Sequence, residues 1–209
     1  MFWQQEGYLK VNTLKIGIDV DLTFVDSGTP WIEWLEKVYG VKMDLSLPPP
    51  NPQGMLYYNV SKYFPPAKVH QLSPYEFWED PYLYDKLKPL PGAVEAVAAW
   101  AKAGHFNHFV SYCMKGHFSS KVRFLKRETE EFFSLEPGSG HAFYATKHKA
   151  GVDVDVIIDD RNEFLNQFGP EVIKIKFKTP YDQSEELKTS LDLETDDWYT
   201  IRDFVLDIA

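Results

Sequence analysis

The chain has 209 residues and carries 22 Lys+Arg against 31 Asp+Glu, a formal charge of −9. That balance excludes a nucleic-acid coat and a basic membrane-surface binder, since both depend on cationic patches. Aromatic residues reach 16% of the sequence, with 15 Phe, 12 Tyr and 6 Trp, which excludes disorder as a description of the whole chain. A single cysteine, Cys113, leaves no intrachain disulfide framework and no Cys-rich zinc site. The opening MFWQQEGYLK lacks the basic flank and apolar run of a secretory leader. No run approaches the ~20 apolar residues of a membrane span. A soluble protein of a reducing compartment is expected.

Leu14–Ile18 is a short apolar run ending abruptly in Asp19-Val20-Asp21, the pattern of a buried strand of a parallel sheet. Trp31–Tyr39 follows as a helix that stops at Gly40. Residues 44–91 then mix prolines (Pro48-Pro49-Pro50, Pro65-Pro66, Pro74, Pro81) with Tyr57, Tyr58, Tyr63, Phe64, Tyr75, Phe77, Trp78, Tyr82 and Tyr84. So many large side chains predict a small helical insertion over residues 27–88, seated on the sheet's C-terminal edge. Gly92–Ala103 is an Ala-rich helix bounded by Pro91 and Gly104, and Phe106–Val110 is a strand running into Ser111. Ser119–Phe133 reads as a helix whose Lys121, Arg123, Lys126 and Arg127 form a solvated face. Val154–Ile158 is a strand ending in Asp159-Asp160, Val172–Phe177 is a neighbouring strand, and the acidic tail closes in a helix over Thr195–Leu206.

Strands alternating with helices predict an α/β fold: a doubly wound, Rossmann-like parallel sheet. Its core comprises residues 14–26 and 89–209, the inserted cap residues 27–88, and residues 1–13 an N-terminal extension. Ligands in such sheets bind beyond the carboxyl ends of the strands. Those ends carry Asp19, Asp21, Ser111, Asp159 and Asp160. Carboxylates brought together there repel one another unless a cation neutralises them. An all-oxygen set with few ligands suits Mg²⁺, which completes its shell with water and substrate phosphate. A lone Asp-x-Asp after a strand is commonly a turn or helix cap. Three acidic or hydroxyl strand ends in one series make a site the stronger reading.

Lys15-Ile16-Gly17-Ile18 followed by Asp19-Val20-Asp21-Leu22-Thr23 resembles the first motif of the haloacid dehalogenase superfamily, DxDGT or DxDxT. Ser111 after Phe109-Val110 resembles the second motif. Lys149 with Val156-Ile157-Ile158-Asp159-Asp160-Arg161 resembles the third and fourth. Within that superfamily, Leu87-Lys88-Pro89-Leu90-Pro91-Gly92-Ala93-Val94-Glu95-Ala96-Val97 and Thr146-Lys147-His148-Lys149 are similar to the 5′(3′)-deoxyribonucleotidase branch and its phage-type relatives. The likeness covers residues 14–26 and 76–165; the rest of the cap and the tail have no match. Leu22 departs from the pattern, standing where the common motif has Gly.

The resemblance implies a Mg²⁺-dependent phosphomonoesterase, most simply a 5′-nucleotidase acting on nucleoside monophosphates. Asp19 would be the nucleophile and Asp21 the general acid and base, with Ser111 and Lys149 stabilising the phosphoryl group. Mg²⁺ would be held by Asp19, the main-chain carbonyl of Asp21, and Asp160, supported by Asp159. Lys147 competes with Lys149 for the lysine role, and Asp159 and Asp160 can exchange places. Thr23 and Lys147 are candidate substrate contacts, and Trp78 and Tyr82 are the candidates for stacking on a base, since base stacking on aromatics is sequence-tolerant. The implied setting is the cytoplasm of a bacterium or phage-infected cell, with no membrane or nucleic-acid polymer as partner and a homodimer left open. Other readings are a phosphatase of another small ester and a non-catalytic nucleotide-binding protein. A nucleophilic role for Cys113 needs a His partner and a lowered pKa, and no HExxH, P-loop or GxGxxG stretch occurs.

Overall fold

Lys15–Ile18 forms β1, whose Ile16 and Ile18 are wholly buried. It pairs in parallel with β2 (Phe106–Ser111) on one side and β4 (Val156–Asp159) on the other. Gly17 lets the strands pack closely, since a Cβ there would lie 2.8 Å from Ile157 Cδ1 and 3.2 Å from the Val156 carbonyl. The sheet extends outward through β3 (Ala142–Ala145), β5 (Ile173–Phe177) and β6 (Leu193–Thr195), in the order β3-β2-β1-β4-β5-β6, every pair parallel. This is the doubly wound order expected, and its direction reverses between β1 and β4. The computed structural model describes residues 12–114 and 116–209. Most of the expected N-terminal extension therefore lies outside the described residues. No helix among them is long and apolar enough to cross a membrane.

The chain between β1 and Pro91 contains no strand. It holds helices α1 (Gly28–Tyr39) and α2 (Pro66–Gln71) and 3-10 turns at Val60–Tyr63, Pro74–Glu79 and Leu83–Asp85. Helix α1 buries Trp31, Leu35 and Tyr39, one residue per turn on one face, and ends where Gly40 takes the left-handed conformation (φ +67°). Its aromatics tie the irregular segment together. The Trp31 indole donates to the Pro74 carbonyl at 2.8 Å and the Tyr39 hydroxyl to the Leu72 carbonyl at 2.9 Å. Most of this segment's own aromatics thus serve the packing of a stretch with too little helix to bury itself.

Helices α3 (Ala93–Lys102), α4 (Phe118–Thr129), α5 (Asn162–Leu165) and α6 (Trp198–Ile208) cover the sheet. Phe24, Phe109, Phe124 and Trp198 form an edge-to-face cluster beneath the loop after β1, and the Trp198 indole donates to the Thr23 carbonyl at 2.9 Å. Helix α4 departs from expectation. Arg123, Lys126 and Arg127 lie on the exposed face expected, with Arg123 and Arg127 also holding the segment returning from the insertion, but Lys121 is fully buried. Lys126 pairs with exposed Glu136. Strands β3 and β6 are additions to the expected set.

Candidate active site

The loop after β1 is tight. The amides of Phe24 and Val25 donate to the Val20 carbonyl, and that of Leu22 to the Val25 carbonyl. Leu22 pays for the turn with φ +60°, the only non-glycine in the left-handed region among the described residues. This is the position where a glycine would sit without strain. Val20 is buried in the core, whereas Asp19 and Asp21 on either side of it line one cavity. The Asp19 amide donates to the Ile158 carbonyl at 2.9 Å, so the loop sits at the reversal point between β1 and β4.

The cavity measures about 350 Å³. Asp19, Asp21, Ser111 and Asp160 line it from the strand ends. Tyr58, Tyr112, Lys147, Arg161, Glu163 and Phe164 make the remaining wall. Lys149 lies beneath, wholly buried, with its ammonium 2.7 Å from Asp19 Oδ1 and 2.6 Å from Asp159 Oδ2. Burial pushes its pKa down, but the charges of Asp159 and Asp19 outweigh that and raise it, so it stays an ammonium. Lys147 is exposed and stands 4.2 Å over the Tyr112 ring. Of the two candidate lysines, Lys149 alone reaches the carboxylates.

Carboxylate oxygens of Asp19, Asp159 and Asp160 lie within 4.8 Å of one another. Asp159 is occupied by Lys149 and by the Arg161 amide at 2.9 Å. Burial drives its pKa up to about 7, against the pull of Lys149. Asp160 Oδ2 is buried without any hydrogen-bond partner, and burial, then the charges of Asp159 and Asp19, push its pKa well above the ordinary range. Three clustered carboxylates share one ammonium, which touches only two of them, so the site is short of positive charge, and Asp160, the one without that contact, lines the cavity. That donor set fits a hard divalent cation, with Asp160 and Asp19 as its open ligands and Asp159 behind them. The Asp21 carboxylate is otherwise engaged, which leaves only its main-chain carbonyl for such a role.

Two residues at Asp21 were not anticipated. Lys121 Nζ stands 2.7 Å from Asp21 Oδ2, 3.0 Å from Ser111 Oγ and 3.1 Å from the Tyr112 carbonyl. The Tyr84 hydroxyl donates to Asp21 Oδ1 at 2.5 Å. Burial raises the Asp21 pKa, but the Lys121 charge and the hydrogen bonds from Lys121 and Tyr84 together hold it below the usual carboxylate value. A signal for Lys121 exists in the sequence, since it falls in phase with the buried Phe124 and Leu125 of α4.

Three expected substrate contacts lie elsewhere. Thr23 is buried behind the site, with its hydroxyl 3.5 Å from Asp160 Oδ1, and supports that carboxylate instead of facing the cavity. Trp78 packs edge-on against Trp31 and Phe77 and lines a narrow apolar crevice beside the site, sharing Tyr58 with it. Tyr82 is 61% exposed on the outer surface, its ring 5.8 Å from the Arg123 guanidinium. The aromatic rings lining the cavity are Tyr58, against which the Arg161 guanidinium lies at 4.0 Å, Tyr112 and Phe164.

The fold is shared with solved structures of low sequence identity. A Clostridium difficile protein named as a phosphatase aligns with TM-score 0.57 at 16% identity, covering 94% of this chain and 100% of its own. A HAD family hydrolase from Deinococcus radiodurans R1, solved with phosphate and sodium, aligns with TM-score 0.54 at 14% identity, covering 93% and 96%. A dehalogenase solved with an intermediate complex aligns with TM-score 0.53 at 8% identity, covering 92% and 96%. These likenesses show the architecture. No match is found among curated proteins. The sequence itself matches, over residues 12–207, the family described as 5′ nucleotidase, deoxy (Pyrimidine), cytosolic type C protein. With almost its whole length in that match, the chain belongs to the cytosolic type C 5′ deoxynucleotidase family, built on the haloacid dehalogenase hydrolase fold.

Proposed function

We propose that the protein is a divalent-metal-dependent phosphomonoesterase whose substrates are nucleoside monophosphates. The observation that carries this reading is the cavity at the sheet's reversal point, where Asp19, paired with buried Lys149, clusters with Asp160, one of whose oxygens has no partner. Asp19 attacks phosphorus, forming an Asp19–phosphoryl bond as the bond to the leaving oxygen breaks. Asp21, ionised in the free site, takes up a proton as the phosphate dianion binds beside it, gives that proton to the leaving oxygen, then takes one from the water that attacks the phosphoryl group and frees Asp19 and inorganic phosphate. Ser111 and Lys149 supply a hydrogen bond and a fixed positive charge where charge gathers. Mg²⁺ held by Asp19, Asp160 and the Asp21 carbonyl, with Asp159 behind, would neutralise charge on the phosphoryl oxygens.

The wall opposite the carboxylates supports a nucleoside leaving group. Tyr58 and Tyr112 offer ring faces, and Lys147 and Arg161 offer cations to the phosphate or base edge. Phosphate release from a nucleotide panel with Mg²⁺, compared with p-nitrophenyl phosphate, tests this directly. Turnover of the aryl ester with no nucleotide turned over refutes the nucleotide reading; no turnover of any ester refutes the enzyme. Tyr58→Ala is expected to lower kcat/KM for nucleotides by roughly 10-fold or more, at ~1–3 kcal/mol per stacked base, and to spare p-nitrophenyl phosphate. Trp78→Ala, by contrast, is expected to cost about 2–4 kcal/mol of stability through lost packing and to affect both esters alike. A loss confined to nucleotides would return the stacking role to Trp78.

The cation has its own readout. Mg²⁺ at ~100-fold above its Kd should stabilise the protein by about 2.7 kcal/mol, read as a rise in the thermal midpoint. Asp160→Asn should abolish that rise. An unchanged Mg²⁺ response in the variant contradicts the ligand assignment.

A further inference from the structure

We propose that Tyr84 is a positioning residue for Asp21, acting with Lys121 as a two-sided clamp on its carboxylate; this rests on the phosphatase reading above. Both oxygens of Asp21 are taken: Oδ1 by the Tyr84 hydroxyl at 2.5 Å and Oδ2 by Lys121 Nζ at 2.7 Å. A carboxylate held by one donor can swing about its side-chain torsions, whereas two donors from different elements fix its plane. A proton donor works only when its oxygen lies within hydrogen-bond reach of the leaving atom, so fixing that plane sets the rate of the step it serves.

The clamp is built from two segments far apart in sequence. Tyr84 lies in the Leu83–Asp85 turn, on the strand-free stretch returning from the insertion, and Lys121 lies on α4. Helix α4 also anchors that turn. Arg123 makes a bidentate pair with Asp85, and Arg127 donates to the carbonyls of Asp85 and Leu87 at 3.0 and 3.1 Å. The Tyr84 ring is wholly buried against His117 and Phe124, and the Lys121 ammonium lies 4.8 Å from its centroid. A ring so fixed needs no hydroxyl for packing, and its hydroxyl is spent on Asp21. This couples the placement of the inserted region to the proton-transferring group.

Tyr84→Phe keeps the ring and removes the clamp's upper donor. The test is single-turnover release of the alcohol, enzyme in excess with Mg²⁺, from a nucleoside 5′-monophosphate and from p-nitrophenyl phosphate. Nitrophenolate departs without a proton, whereas an alkoxide needs one. We expect release of the nucleoside to slow on the order of 10- to 100-fold, KM to stay near wild type, and release of nitrophenolate to slow far less. In an Asp21→Asn background the Tyr84→Phe change should add nothing, because Tyr84 acts through Asp21. Equal slowing of both esters, wild-type rates on both, or a full further loss in the Asp21→Asn background would overturn the proposal. A wild-type protein inactive on both esters would overturn the phosphatase reading and this one with it, and is distinguishable from every variant effect.

Discussion

Asp19→Asn should abolish phosphate release, with kcat falling by on the order of 10⁴- to 10⁶-fold, because in the proposed mechanism the replaced oxygen is the atom that attacks phosphorus. The amide is nearly the same size and can still accept from Lys149, whose second partner, Asp159, is untouched. The thermal midpoint should therefore remain within a few degrees of wild type, by the rule of ~2–4 °C per kcal/mol for a chain this long. Loss of activity without loss of fold separates a nucleophile from a structural aspartate. An Asp19→Asn protein that turns over substrate within tenfold of wild type contradicts the assignment.

Lys149→Met should have the opposite profile, striking stability first. Its ammonium is the buried countercharge to both Asp19 and Asp159. Removing one partner of a buried ion pair costs about 3–5 kcal/mol, because the remaining charges lose their compensation while still out of water. At ~2–4 °C per kcal/mol this lowers the thermal midpoint by roughly 6–20 °C, measured in EDTA. Divalent cation should restore part of the loss by supplying the missing positive charge. Lys147→Met, at an exposed position 4.2 Å over Tyr112, should shift stability by no more than about 0.5 kcal/mol. Equal effects of the two substitutions would contradict the placement of Lys149 as the site's lysine.

Much of this site was legible because its residues punctuate strands. Asp19, Ser111 and Asp159-Asp160 end apolar runs, and a charged residue cannot continue a buried parallel strand without a purpose. Which ends meet is decided by the strand order, which places the ends of β1 and β4 side by side. Lys121 was misread because charge was weighed without phase: it shares the buried stripe of α4 with Phe124 and Leu125, while Arg123 and Lys126 do not. Tyr84, Trp78 and Tyr82 lie in a stretch with neither helical nor strand period, so composition alone could not tell a packed ring from an exposed one or from one touching Asp21. Thr23 was placed one layer too near the substrate, because motif position does not say which side of a tight loop a hydroxyl occupies. The short edge strands β3 and β6 carry too few buried residues to stand out from loop.

The central claim is a phosphoryl group carried on Asp19. Wild-type protein turning over a nucleoside 5′-monophosphate with Mg²⁺ should be quenched in acid, which preserves an acyl phosphate, and its peptides examined by mass spectrometry. A phosphoryl group on the peptide containing Asp19, absent from Asp19→Asn and accumulating in Asp21→Asn supplied with p-nitrophenyl phosphate, whose leaving group needs no proton, is the result expected. Steady phosphate release with no phosphoryl group on that peptide in any of the three proteins would contradict it.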